Sequence, residues 1–436
     1  MKKILSVILF VLSFAATAFA QDDLYPAPEN KGMFFIKNAT LHVGNGQVIE
    51  KATIQVNNGK IEKVGQDLPV PADNVKVYDV KGKQVYPGLI LSSSELGILE
   101  IGGNAVRGSN DFQELGDYNT NIRSIVAYNA DSRIIGTLRA NGILLANTVP
   151  QGNLLTGSSS VVQLDAWNYE DAVYKSDIGI FFKMPELLNH PGGGFSGSQT
   201  PPVDVVKNGL EKIEQVRQFF RQAKGYLQEA THIETNLKFE ALRPLFEKRQ
   251  KLFIQCDIVR QILVAIDFVK EFGFNVVLVG ASECYQVADL LKQNNMAVIL
   301  EQEHALPTAA DDDVDQPYKT PAALQKAGVL FALNDEDETT RYRNLSFNAG
   351  TAATYGLTKE EALSAITLNA AKILGIDDRT GSIEVGKDAN IIVSEGDILD
   401  MKTSIVTDAF IQGRKVSLEN KQTQLYERYK YKYGLK

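Results

Sequence analysis

Polar and apolar positions alternate with a period of two near both ends of the chain and far less in its middle. Ala39–Val43, Ala52–Val56, Lys60–Val64 and Lys76–Val80 are short alternating runs, separated by Gly44-Asn45-Gly46 and Asn57-Asn58-Gly59. That pattern predicts small antiparallel strands joined by tight turns. Ser382–Val385, Ala389–Ser394, Thr407–Ile411 and Lys415–Ser417 repeat it near the C-terminus. Neither half has enough strands to stand alone. The simplest arrangement joins residues 34–86 with 380–420 in one composite β-sandwich.

Residues 87–379 read differently. Short wholly apolar runs recur: Leu89-Ile90-Leu91, Ile143–Val149, Ile178–Met184, Leu252–Gln255, Asn275–Val279, Ala297–Leu300 and Val329–Leu333. Runs of this kind suit strands buried on both faces. Ser158–Leu164 alternates less clearly. Helical periods lie between them: Ile122–Asn141, much of Val205–Arg249, Val259–Phe272, Cys284–Asn294 and Pro321–Ala327. Ile213, Val216, Phe220 and Leu227 form a core-facing stripe in the second of these. Strands alternating with helices predict a parallel sheet with crossover helices. The count fits a closed α/β unit, a (β/α)8 TIM barrel, better than an open sheet.

The two ends add a destination and a tail. Lys2 and Lys3, the apolar Ile4–Phe14 and Ala18-Phe19-Ala20 make residues 1–20 a signal peptide with a cleavage site before Gln21. The apolar part is too short for a good spanning helix, and no Cys stands at the cut for a lipid anchor. A periplasmic or secreted protein is expected. Residues 421–436 form a basic, tyrosine-rich tail, expected to pack partly on its own domain.

Composition narrows the partners. The formal charge is -8, and no basic stripe occurs, which argues against nucleic acid. Two cysteines, Cys256 and Cys284, exclude a disulfide scaffold. They read as buried thiols, with a single bridge as the alternative. Gly102-Gly103 and Gly192-Gly193-Gly194 lack the lysine of a phosphate loop. Ser92-Ser93-Ser94 and Ser158-Ser159-Ser160 have no partner base or nucleophile-elbow pattern, and read as loop chemistry. Asp311-Asp312-Asp313 with Asp315 reads as a solvated loop.

Val85 to Glu100, V-Y-P-G-L-I-L-S-S-S-E-L-G-I-L-E, resembles the amidohydrolase superfamily in its imidazolonepropionase-like branch. So does Gly381-Ser382-Ile383-Glu384-Val385-Gly386-Lys387-Asp388-Ala389-Asn390, which returns the chain from barrel to sandwich in that family. Tyr355–Leu363 running into Thr367–Gly375 strengthens the likeness. Thr358 and Glu361 have capping-box spacing there.

The resemblance implies a metal centre at the C-terminal ends of barrel strands. Its ligands would be a His-x-His pair after strand one, histidines after strands five and six, and an aspartate after strand eight. Imidazole holds zinc well, and the ion turns bound water into a nucleophile near neutral pH. In this chain the pair is Ser93 and Glu95, strand five offers Gln255, and strand six offers Gly280. Only Asp335 remains as the catalytic candidate, with Glu283 a further pocket candidate. None of the four histidines, His42, His190, His232 and His304, falls at a ligand position.

Two readings stand. In one, an exported amidohydrolase-like protein has lost its metal centre and acts in binding or interaction, with no cofactor and no metal ligands. In the other it hydrolyses cyclic-amide or peptide-like C–N bonds at a reduced site, using zinc or another divalent cation with Asp335. The ligand would be a small molecule or peptide-like. A homodimer is implied by the resemblance alone.

Overall fold

A computed structural model describes residues 25–71, 75–100, 111–188, 204–301, 303–307, 312–335 and 341–435. The expected signal peptide, the Gly102 and Gly192 runs, His190 and Asp311 lie outside them.

The alternating ends do come together. β1 (Met33–His42), β2 (Val48–Asn57), β3 (Lys60–Gln66), β4 (Lys76–Asp79) and β5 (Gln84–Pro87) join β14 (Ile391–Ser394), β15 (Val406–Ile411) and β16 (Arg414–Lys415). They make one continuous eight-stranded sheet, in which β5 pairs antiparallel with the returning β14. Phe34, Ile36, Leu41, Ile54, Ile391 and Phe410 bury a shared core. A buried carboxylate pins this unit to the barrel. Asp388 meets Lys60 Nζ at 2.6 Å and Arg379 Nη2 at 3.0 Å, and accepts from the Tyr174 hydroxyl at 2.5 Å.

The middle strands are β6 (Leu89–Ser94), β7 (Ile143–Thr148), β8 (Leu155–Gln163), β9 (Val173–Lys183), β10 (Lys251–Cys256), β11 (Val276–Gly280), β12 (Ala297–Leu300) and β13 (Phe331–Leu333). They form a second eight-stranded sheet in the order β13 to β6. This nearly closed barrel is the expected TIM-type architecture with one departure: β8 runs antiparallel to both β7 and β9. The reason is the short link between Thr148 and Leu155. A parallel crossover needs a dozen or more residues, so the chain can only turn back.

The barrel interior follows the period of two. Ile90, Leu145, Val161, Phe181, Phe253, Val277, Ile299 and Ala332 share one core inside it. Phe181 and Phe253 stack there at 4.7 Å. Leu89, Leu252, Leu278 and Phe331 face the surrounding helices.

The expected helix Ile122–Asn141 is only partly present. A 3-10 turn spans Ser124–Ala127 and a helix spans Arg133–Ala140. Side chains replace helical hydrogen bonds in between. Ser124 Oγ donates to the Thr148 carbonyl, and Asn129 Oδ1 accepts from the Asp131 amide at 2.9 Å. Val205–Arg249 holds one long helix, Val205–Gln228, and two single turns. Val259–Phe272 is helical as expected, stopped by Gly273 at φ +69. The tail forms a helix, Lys421–Tyr433, that has no buried residue but packs partly on its domain, where Thr137 Oγ1 donates to Gln422 Oε1 at 3.1 Å.

Closure between first and last strands is made by a side chain. Asn334, fully buried just after β13, reaches across to the end of β6. Its Oδ1 accepts from the amides of Ser92 and Ser93, both at 3.1 Å, and its Nδ2 donates to the Ser93 carbonyl at 2.8 Å. On the other flank, Asn147 Nδ2 donates to the Ser92 carbonyl at 3.0 Å. The β6–β7 ladder breaks between Leu91 and Ser94. The two asparagine amides therefore satisfy main-chain groups that regular pairing leaves open.

Candidate functional site at the barrel mouth

The parallel strands end on one rim, where a barrel of this kind carries its chemistry. The rim holds the polar residues expected from the sequence, each in its own surroundings. Ser93 is buried, and its backbone is tied to Asn334. Glu95 is half-buried, and its amide donates to the Tyr342 hydroxyl at 3.1 Å. Gln255 is half-buried on the interior face of β10, two residues beyond Phe253. Asp335 follows the seam asparagine and is buried.

Glu283 serves a helix end. Its Oε2 accepts from the Val259 amide at 2.7 Å, capping the helix Val259–Phe272 from a neighbouring loop. The three described histidines have other partners. His42 binds Glu360 and Gln84 at the sheet. His232 stacks on Tyr226, and His304 meets Thr351 Oγ1 at 2.8 Å. Both cysteines are free and buried, and burial pushes their thiols up, Cys284 to about 12.

Gly280 is the most informative position. It ends β11 at φ +85, and a Cβ there would meet Asp257 Oδ1 at 2.8 Å and the Cys256 carbonyl at 3.1 Å. A side chain here is strained by the positive φ, and its Cβ would have to displace the Asp257 carboxylate. The donor set is therefore a hydroxyl, a carboxylate, an amide, no side chain and a carboxylate. It lacks the imidazoles that hold a zinc pair, so these residues do not fit the metal centre that the resemblance implies. Among the described residues, no cluster of three or more His, Cys, Asp or Glu side chains is placed to hold a metal ion.

What the rim does build is an acidic crevice of about 30 Å³, where Gly280 meets Asp257, Ser282, Glu301, Glu303 and Thr320. Glu303 is 2% exposed, and among the described residues neither carboxyl oxygen has a hydrogen-bond partner. Burial, then the nearby charge of Asp335, holds its carboxyl well above the usual range. Burial also raises Asp257, against hydrogen bonds from Ser282. Sequence reading missed Asp257, Glu301, Glu303 and Asn334. The signal was there for all four, since Asp257, Glu301-Gln302-Glu303 and Asn334 follow apolar strands as Asp335 does.

A wider cavity, about 420 Å³, opens where β8 and β9 meet the helix Val205–Gln228, with Lys183, Glu186 and Lys212 on its walls. It is separate from the acidic crevice.

Residues 207–416 match the amidohydrolase family. An amidohydrolase from Thermotoga maritima has the same fold, with a TM-score of 0.77 and 27% identity over 88% of this chain and 99% of that one. Amidohydrolase tasK of Hapsidospora irregularis is 23% identical over 79% of this chain but only 38% of its own length. The imidazolonepropionase of Thermoplasma volcanium is 35% identical over 19% of this chain and 21% of its own. The chain thus spans well under two thirds of these curated relatives. Together the matches support the amidohydrolase superfamily.

Proposed function

We propose that this chain, an amidohydrolase-fold protein by its barrel and its family match, is exported and acts by binding a small or peptide-like ligand. Its metal centre is degenerate. The observation that carries this reading is Gly280: the strand-six position has no side chain to offer a metal, and its positive φ disfavours one. Ser93 and Gln255 supply neutral oxygen donors where imidazoles are needed. Without a metal-activated water the family chemistry loses its nucleophile, and with it many orders of rate.

Retained Asp335 and half-buried Glu95 motivate the alternative, hydrolysis of cyclic-amide or peptide-like C–N bonds. Oxygen donors of that kind would favour a hard divalent cation over zinc. The test is turnover of a panel of cyclic amides and dipeptides by the mature protein, supplied in turn with zinc, manganese and magnesium. The binding reading expects no turnover above buffer. Metal-dependent hydrolysis abolished by Asp335→Ala would overturn it.

A further inference from the structure

We propose that the acidic crevice at the ends of β10, β11 and β12 seats a primary ammonium group, with Glu303 as the carboxylate that holds it. The inference rests on the reading that no metal pair fills the barrel mouth. Glu303 is the starting point, because it is 2% exposed and neither of its oxygens is hydrogen-bonded among the described residues. A buried carboxyl in that state lacks the compensation that such groups normally have. Asp257 and Glu301 line the same space, and the charge of Asp335 also acts on Glu303. A proton neutralises such a carboxyl, and an ammonium head donating to both of its oxygens does so too while satisfying them as acceptors.

Size and geometry choose among cations. No metal-holding cluster exists among the described residues. A space of about 30 Å³ has room for a water-sized head and little more. It admits –NH3+, but not a guanidinium or a quaternary ammonium. The three N–H donors of an ammonium suit a pocket walled by carboxyl and hydroxyl acceptors, Ser282 and Thr320 included. An amine on a side chain and the α-amine of a peptide share this chemistry. The bulk of either ligand would lie outside the crevice.

The experiment is calorimetric titration of the chelator-treated mature protein with n-butylammonium and, separately, alaninamide, at neutral pH. Saturable binding of one or both is expected, and the pair tells a side-chain amine from an α-amine. Neither 1-butanol nor tetramethylammonium should bind. Glu303→Gln should weaken the amine at least about tenfold, the loss of one charge-assisted hydrogen bond. If that variant fails to fold, the contrast between n-butylammonium and 1-butanol on the native chain decides. No saturable amine binding, equal binding of 1-butanol, or unchanged affinity in folded Glu303→Gln would overturn the inference. Zinc content measured before chelation keeps the two ideas apart. A zinc pair sinks the underlying reading, whereas zinc-free protein that ignores amines sinks only this one.

Discussion

Replacing Asn334 by leucine tests the seam of the barrel. Leucine branches at the same carbon as asparagine and has as many side-chain heavy atoms, so no cavity is created, and its bulkier methyl groups add some crowding in a fully buried site. What disappears is the bridge to β6. The amides of Ser92 and Ser93 lose their shared acceptor, and the Ser93 carbonyl loses its donor. All these groups sit in buried residues. Stranding one buried polar group costs about 1–3 kcal/mol, so three of them cost about 3–6 kcal/mol after partial relaxation. Against a typical total of about 5–15 kcal/mol, that is a large share. Urea unfolding followed by circular dichroism gives the global loss. Hydrogen exchange of a peptide covering Leu89–Ser94 gives the local one. Both should move together, with exchange accelerated at Ser92 and Ser93. A leucine variant within about 0.5 kcal/mol of the parent, the usual range of an uneventful surface change, would refute the argument.

Two ionic links should show opposite pH behaviour. Burial opposes the charge on His42, but hydrogen bonds to Glu360 and Gln84 outweigh it and raise its pKa above 6.5. Its contribution is therefore fully present below pH 6.5 and lost as pH rises through the folded value. The stability gap between the parent and His42→Gln should be wide at pH 5.5 and narrow at pH 8.5; a gap that widens with pH would reverse the sign. Burial likewise opposes the charge on Asp388, yet Lys60, Tyr174 and Arg379 hold its carboxyl below the usual range. That contribution exists above the unfolded pKa of about 3.9 and fades as pH falls through the folded one. Asp388→Asn should cost about 2–3 kcal/mol at pH 7, less than a wholly buried pair because Lys60 and Arg379 are partly exposed. Chemical denaturation at pH 7 and pH 3 should show the gap shrinking at the acid end.

Much of the architecture could be read directly from residue order. Val259–Phe272 begins and ends where its periodicity says, and Thr358 with Glu361 forms the expected capping box. These features are local, set by residues three or four apart. The reversal of β8 was not visible, because apolar runs carry no direction and only the brevity of the Thr148–Leu155 link hints at it. The helix expected over Ile122–Asn141 failed for a similar reason. Its apolar residues pack against β-structure while Asn129 and Ser132 take over backbone partners. At the rim, the five candidate positions were placed by the family frame, whereas the β6 bulge and the left-handed turn at Gly280 shape the strand ends that carry two of them. Neither follows from residue type alone. Glu283 looked like a rim carboxylate and proved to be a cap, since the helix amide it serves lies 24 residues earlier in the chain.

The central claim is that the barrel has lost the means to grip a metal pair. Titration of zinc into chelator-stripped mature protein, beside elemental analysis of the protein as purified, tests it most directly. The account predicts no stoichiometric zinc on purification and no binding tighter than weak surface association. A pair of tightly held ions per chain, released by Asp335→Ala, would contradict it.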